Sequence, residues 1–125
     1  MKKIILDTNF LIYCAENKID YVTEIARLMT EGYELFVPFQ VVHELEDLYK
    51  KGKKFSDRSA AWIALKILRS NNVKTLTASG RTADEAILNL VRIGSIIATL
   101  DLELRQKLAG TRVIVVQGNK KLAFE

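Results

Sequence analysis

A chain of 125 residues, 49% hydrophobic and 27% charged, has the make-up of one water-soluble domain with a substantial core, expected here over residues 1–125. No apolar run approaches the roughly 18 residues of a membrane-spanning helix, and the start lacks the longer apolar core of a signal peptide, so the expected location is the cytoplasm with no membrane contact. The single Cys14 excludes an internal disulfide or a thiolate metal cluster, while a net charge of +4 and a pI near 9.2 favour a polyanionic partner.

Ile4, Ile5 and Leu6 form an unbroken apolar run, as expected for a strand buried on both faces of a parallel sheet, and Asp7-Thr8-Asn9 ends it. Asp7 is thereby placed at the carboxyl end of a central strand, the edge where ligands bind in open α/β sheets. Phe10, Leu11 and Cys14 recur at helical spacing, and Ile19, Val22, Ile25, Ala26 and Met29 make a second amphipathic stretch that ends at Gly32. Glu34 to Pro38 reads as a short strand. A helix from near Gln40 then carries Val41, Val42, Leu45, Leu48 and Tyr49 inward. On that helix Glu44 and Glu46 border the apolar arc on opposite sides, with His43 and Asp47 farther out, and periodicity does not choose between the two glutamates.

Lys50-Lys51-Gly52-Lys53-Lys54 reads as a loop or frayed helix end, and Ser56-Asp57-Arg58 opens a helix through Ala61, Trp62, Leu65, Ile67 and Leu68, with Trp62 as core or rim. Val73 to Leu76 is a third strand, followed by a loop of small residues. Thr82-Ala83-Asp84-Glu85 matches a capping box, which puts Asp84 in the first turn of a helix whose buried stripe is Ile87, Leu90 and Val91. Ser95 to Leu100 is a fourth strand, ending at Asp101 as the first ends at Asp7. Asp101 can cap a helix carrying Leu104 and Leu108. Arg112 to Val116 is a fifth strand, and Gln117 to Glu125 reads as a polar tail. Strands alternating with helices predict an α/β fold: a parallel sheet with right-handed crossovers and helices on both faces.

Asp7, Glu44, Asp84 and Asp101 can all reach one crevice at that edge. Each has an ordinary structural role when taken alone, as an N-cap, a first-turn acid or a solvated helix face. Together, without basic partners, they are electrostatically costly, and a hard cation with oxygen ligands, Mg²⁺ or Mn²⁺, is the usual resolution. His43 is the only histidine and lies on the polar side of its helix, which argues against a Ser/His/Asp triad or a histidine zinc site. Lys50, Lys51, Lys53 and Lys54 are either a solvated loop or a set of phosphate contacts.

The segments Leu6-Asp7-Thr8-Asn9, Val42-His43-Glu44-Leu45, Asp84-Glu85-Ala86-Ile87 and Ala98-Thr99-Leu100-Asp101 span nearly the whole chain. In this order the sequence resembles the PIN-domain nucleases. The resemblance implies a three-layer α/β/α fold with a five-stranded parallel sheet ordered 3-2-1-4-5. It selects Glu44 over Glu46, names Asp7, Glu44, Asp84 and Asp101 as the catalytic and metal-binding quartet, and adds Glu103 as an outlying acid. It also implies a Mg²⁺- or Mn²⁺-dependent endoribonuclease with RNA as partner, a homodimer by analogy, and a protein partner or antitoxin. The compact length, the Asp101 to Arg105 stretch and the basic tail look closest to stand-alone PIN proteins related to rRNA-processing nucleases, with toxin-type PIN ribonucleases next. Leu100 departs from the polar residue that many relatives carry before the last Asp. A non-cleaving RNA-binding module is the alternative, against which the complete quartet argues. A phosphoacceptor receiver domain would need an acidic pair near the first strand and a Lys after the last, and neither is evident.

Overall fold

Ile4, Ile5 and Leu6 are fully buried in β1 (Lys2–Leu6), an inner strand of the sheet in the computed structural model, which describes residues 1–125. The remaining elements follow as α1 (Thr8–Glu16), α2 (Tyr21–Leu28), β2 (Tyr33–Pro38), α3 (Phe39–Lys51), α4 (Phe55–Ser70), β3 (Lys74–Leu76), α5 (Ala83–Leu90), β4 (Ile96–Ala98), α6 (Leu102–Lys107), β5 (Arg112–Gln117) and β6 (Lys121–Phe124). The period of two along β1 divides the core. Ile4 and Leu6 pack with Phe10 and Leu11 of α1, Tyr21 of α2, Val41 and Leu45 of α3 and Leu65 of α4. Ile5 points the other way, into a smaller cluster with Ile97 and with Ile87 and Leu104 of α5 and α6. Two helical layers therefore sandwich the sheet, and an alternation within three apolar residues decides which layer each side chain joins.

The sheet order is β3-β2-β1-β4-β5-β6. Its first five strands are parallel and stand in the expected order 3-2-1-4-5. The sixth corrects the reading of residues 117–125 as a tail: β6 runs antiparallel to β5, from Gln117↔Lys121 to Ile114↔Phe124. A turn through Gly118 (φ +64°) and Lys120 (φ +60°) reverses the chain, and Leu122 is buried in the larger core. Helix α2 seals the strand from the side, because Leu122 N donates to Glu24 Oε1 at 3.0 Å and Leu122 O accepts from Arg27 Nη2 at 2.8 Å.

Smaller differences follow from tertiary context. Strand β4 keeps only the buried Ile96–Ala98 of the expected Ser95 to Leu100, since Thr99 and Leu100 turn into the loop that carries Asp101. Tyr49, expected inside, is 44% exposed near the end of α3, and Trp62 is a rim residue with Lys66 Nζ 4.4 Å from its ring centroid. Cys14 is buried among apolar side chains as expected. If residues 121–124 belong to the core, Leu122→Ala should cost about 2–5 kcal/mol in urea unfolding. A loss below about 0.5 kcal/mol, the range of ordinary surface positions, would return the segment to a solvated tail.

Candidate active site

Asp7 leaves the sheet where β1 gives way to α1, and it is 2% exposed. As N-cap of α1 it accepts from Thr8 N at 2.8 Å through Oδ1, while Oδ2 accepts from the Thr99 hydroxyl at 2.6 Å. Thr99 is itself fully buried just after β4, and its oxygen accepts from Asp101 N at 3.1 Å. Asn9 Oδ1 accepts from Leu100 N at 3.2 Å. The turns after β1 and β4 are thus laced together by short polar side chains. Such turns bring Asp7 and Asp101 to the same edge.

Glu44 joins this edge from α3. Its Oε1 accepts from the Thr8 hydroxyl at 2.8 Å and its Oε2 from Ala83 N at 2.9 Å, so one carboxylate ties the first turn of α1 to that of α5. The cap of α5 forms as expected, Thr82 accepting from Glu85 N at 3.2 Å, except that Glu85 reaches back to Arg81 N at 2.6 Å. Asp84 follows in the first helical turn.

Asp7, Glu44 and Asp84 line one cleft of about 490 Å³. Asp101 and Glu103 lie outside its lining. Asp101 caps α6, its Oδ1 accepting from Glu103 N at 2.9 Å and Leu104 N at 3.2 Å, yet both acids are near enough for their charges to act on Asp84. Glu46 is not in the cleft. Glu16 is, and reading the acids by strand ends and first turns overlooks it; the helical spacing of Asn9, Ile12 or Tyr13, and Glu16 carries the signal. Ile12, Tyr13 and Leu100 add apolar surface to the cleft lining.

Electrostatics set the character of this cleft. Burial pushes the Asp7 carboxyl up to about 6, aided by the charges of Asp84 and Glu44, and the hydrogen bonds from Thr99 and Thr8 only partly oppose it. Asp84 is also raised, first by partial burial and then by Asp101 and Glu44, with Lys107 pulling the other way. The ion pairs of the protein lie elsewhere, at Glu24 with Arg27, Asp47 with His43, Glu34 with Lys74 and Glu125 with Arg105. No three acid, histidine or cysteine side chains stand close enough, as they are, to cage an ion. The donor set nevertheless fits Mg²⁺ or Mn²⁺ in kind: all oxygen and anionic, with Asp7 and Asp84 raised in pKa by burial first and by neighbouring acids second. Mg²⁺ keeps most of its waters and needs only one or two protein carboxylates, so an open arrangement suits it.

The profile of the PIN like domain family matches residues 4–121. The chain belongs to this family. Ribonuclease VapC4 of Methanocaldococcus jannaschii is 34% identical to this PIN domain over 127 residues, covering 100% of this chain and 96% of the relative. Among solved structures, the PIN domain endonuclease Utp24 superposes with a TM-score of 0.79 at 27% identity, over 98% of this chain and 90% of that one. VapBC2 from Rickettsia felis, bound to a DNA fragment from its promoter, gives 0.66 at 14% identity over 92% and 99% of the two chains, a likeness of fold alone.

A carboxyl that titrates near 6 in the folded PIN domain and near 3.8 when unfolded favours folding fully below the lower value. That contribution is lost as pH rises through the higher one. The shift is worth about 3 kcal/mol. In chelator, Asp7→Asn should therefore match wild type near pH 4 and exceed it by up to that amount at pH 7.5. Urea melts across this range test the assignment, and a variant less stable than wild type at pH 7.5 would show that Asp7 is not a strained charge.

Proposed function

We propose that this PIN domain is a metal-dependent endoribonuclease that hydrolyses RNA phosphodiester bonds. The observation that carries the reading is the convergence of Asp7, Glu44 and Asp84 on one cleft with no cation paired to any of them. The ribonuclease at 34% identity supports RNA as the substrate, and the endonuclease at TM-score 0.79 supports phosphodiester cleavage within a chain. Asp7, Asp84 and Asp101 would hold one or two Mg²⁺ or Mn²⁺ ions, with Glu44 as ligand or water-orienting group and Glu103 as an outlying acid. A bound divalent ion supplies the charge that makes a water acidic and offsets that of the phosphodiester.

The chain's own residues position and exclude. The Thr8 hydroxyl holds Glu44 Oε1 and the Thr99 hydroxyl holds Asp7 Oδ2, so that little would reorganise when substrate arrives. Ile12, Tyr13 and Leu100 would displace water from the part of the cleft they line once substrate covers it. Attack by water in line with the leaving oxygen leaves a 5′-phosphate and a 3′-hydroxyl. Induced expression separates the two settings that the sequence suggests, rRNA processing and a toxin with its antitoxin. Growth arrest in a bacterial host by wild type but not by Asp7→Asn would favour the toxin setting.

Labelled RNA incubated with and without Mn²⁺ tests the activity. Asp7→Asn and Glu44→Gln should lower cleavage by at least about 100-fold, one oxyanion-scale interaction each, while Glu46→Gln stays near wild type. Wild-type rates in Asp7→Asn, or activity unchanged in chelator, would sink the reading.

Lys50 and Lys51 end α3, and Lys53 and Lys54 lead into α4; all four are exposed and none is in an ion pair. Lys50 and Lys51 lie roughly 10 Å along α3 from Glu44 at 1.5 Å per residue, a separation that suits phosphates flanking a scissile bond, and Lys53 and Lys54 follow just beyond the helix end. Changing all four to Ser should weaken RNA binding and reduce its salt dependence by up to about four phosphate contacts. An unaltered salt slope would leave them as solvated lysines.

A further inference from the structure

The segment leading into α5 is bound to that helix by α5's own side chains. Asn89 Nδ2 donates to Ser79 O at 2.7 Å, Glu85 Oε2 accepts from Arg81 N at 2.6 Å, and Thr82 caps the helix. Gly80 sits at φ +132° so close to α5 that a Cβ there would stand 2.8 Å from Glu85 Cβ and 2.9 Å from Ala86 N. Loop and helix therefore form one stiff unit that carries Asp84 at its tip. What joins this unit to α3 is a pair of side chains one turn apart.

One of the pair is Glu44, bonded to Ala83 N. The other is Gln40, 6% exposed, whose Nε2 donates to Ala78 O at 2.7 Å and to Gly80 O at 2.8 Å. Its partners fix the amide's orientation, since both are carbonyls and a flipped amide would set its oxygen against two acceptors. Gln40 Oε1 is buried without a partner. A half-satisfied buried amide is costly and an apolar side chain would avoid that cost, so its two donors are what the fold gains from it.

We propose that Gln40 is a positioning residue that fixes Asp84 opposite Asp7 and Glu44 and thereby sets the metal affinity of the cleft, a role that rests on the ribonuclease reading above. It touches neither the cleft nor the reacting atoms. It acts by holding the loop that leads into α5, whose first turn carries Asp84, at two carbonyls to which no other side chain hydrogen-bonds.

Gln40→Met keeps the length and bulk of the side chain and removes both donors. With secondary structure retained by circular dichroism, amide exchange at residues 80–84 should quicken. Mn²⁺ titrated calorimetrically without RNA should bind roughly 10- to 100-fold more weakly, the usual effect of losing a group that supports a ligand. In cleavage assays at a fixed Mn²⁺ level below saturation, kcat should fall with KM for RNA unchanged. Gln40→Asn, which keeps the amide but draws it back by one methylene, is measured alongside in case the Met variant fails to fold, and the same weakening is expected. The decisive comparison is the double variant with Asp84→Asn. If Gln40 acts by placing Asp84, Gln40→Met should cost little further Mn²⁺ affinity once that carboxylate is gone. Losses that simply add, or Mn²⁺ affinity at the wild-type level in Gln40→Met and Gln40→Asn, overturn the role of Gln40 while the activity stands. A wild type that neither binds Mn²⁺ nor cuts RNA overturns both.

Discussion

The burial of one carboxylate, Asp7, is the constraint around which this edge of the sheet is arranged. Its position follows from β1 being apolar on both faces, because a strand that fills two cores must run through the middle of the sheet and end beneath the loops. Helix N-termini meet it there: α1 begins at Thr8, α5 at Ala83 and α6 at Leu102, and Asp7, Asp84 and Asp101 occupy capping or first-turn positions on the three. Each such placement is worth about 0.3–1 kcal/mol to an anion. That is less than the roughly 3 kcal/mol implied by the Asp7 shift, so helix dipoles and threonine donors lower the cost of the cluster without cancelling it. What remains is mainly the cost of burying the charge, with repulsion from Asp84 and Glu44 added to it, and a divalent ion would offset both.

The same arrangement separates two electrostatic tasks. The net charge of +4 suits a polyanion, yet none of the ion pairs involves a cleft acid and no lysine lines the cleft, Lys107 acting on Asp84 only from outside it. Lysines at the end of α3 can hold flanking phosphates without neutralising Glu44 nearly two turns earlier on that helix. A lysine inside the cleft would satisfy the carboxylates permanently and leave nothing for an ion to do.

Much of this was legible because it is local. The run Ile4 to Leu6, the turn at Asp7, the cap at Thr82 and the cap at Asp101 are each decided by residues within a few positions of one another, and all four form. Glu44 and Glu46 could not be separated by periodicity, since both border the apolar arc; contacts with Thr8 and Ala83, 36 and 39 residues away, are what distinguish Glu44. Gln40 was legible only as a helix start for the same reason, its partners lying 38 and 40 residues on. Residues 121–124 read as a tail because two lysines precede a short apolar stretch, although Gly118-Asn119 before it is a hairpin signal. The placement of Leu122 depends on the open edge of β5 and on α2, neither of which a local pattern contains.

Strand β6 also bears on how the protein behaves in company. A parallel sheet ending at β5 would offer a row of free amides and carbonyls beside Val113 and Ile114, the kind of border to which stray chains add. The antiparallel return covers that border, and the carboxylate of Glu24 and guanidinium of Arg27 then occupy the donor and acceptor of Leu122 that β6 would itself present. At the opposite margin β3 is only three residues long, with Lys74 paired to Glu34 on its neighbour. Neither margin is a good template for cross-strand growth. Shortening the chain before residue 121 would thus expose a sticky flank as well as remove core, and insolubility would be its first symptom.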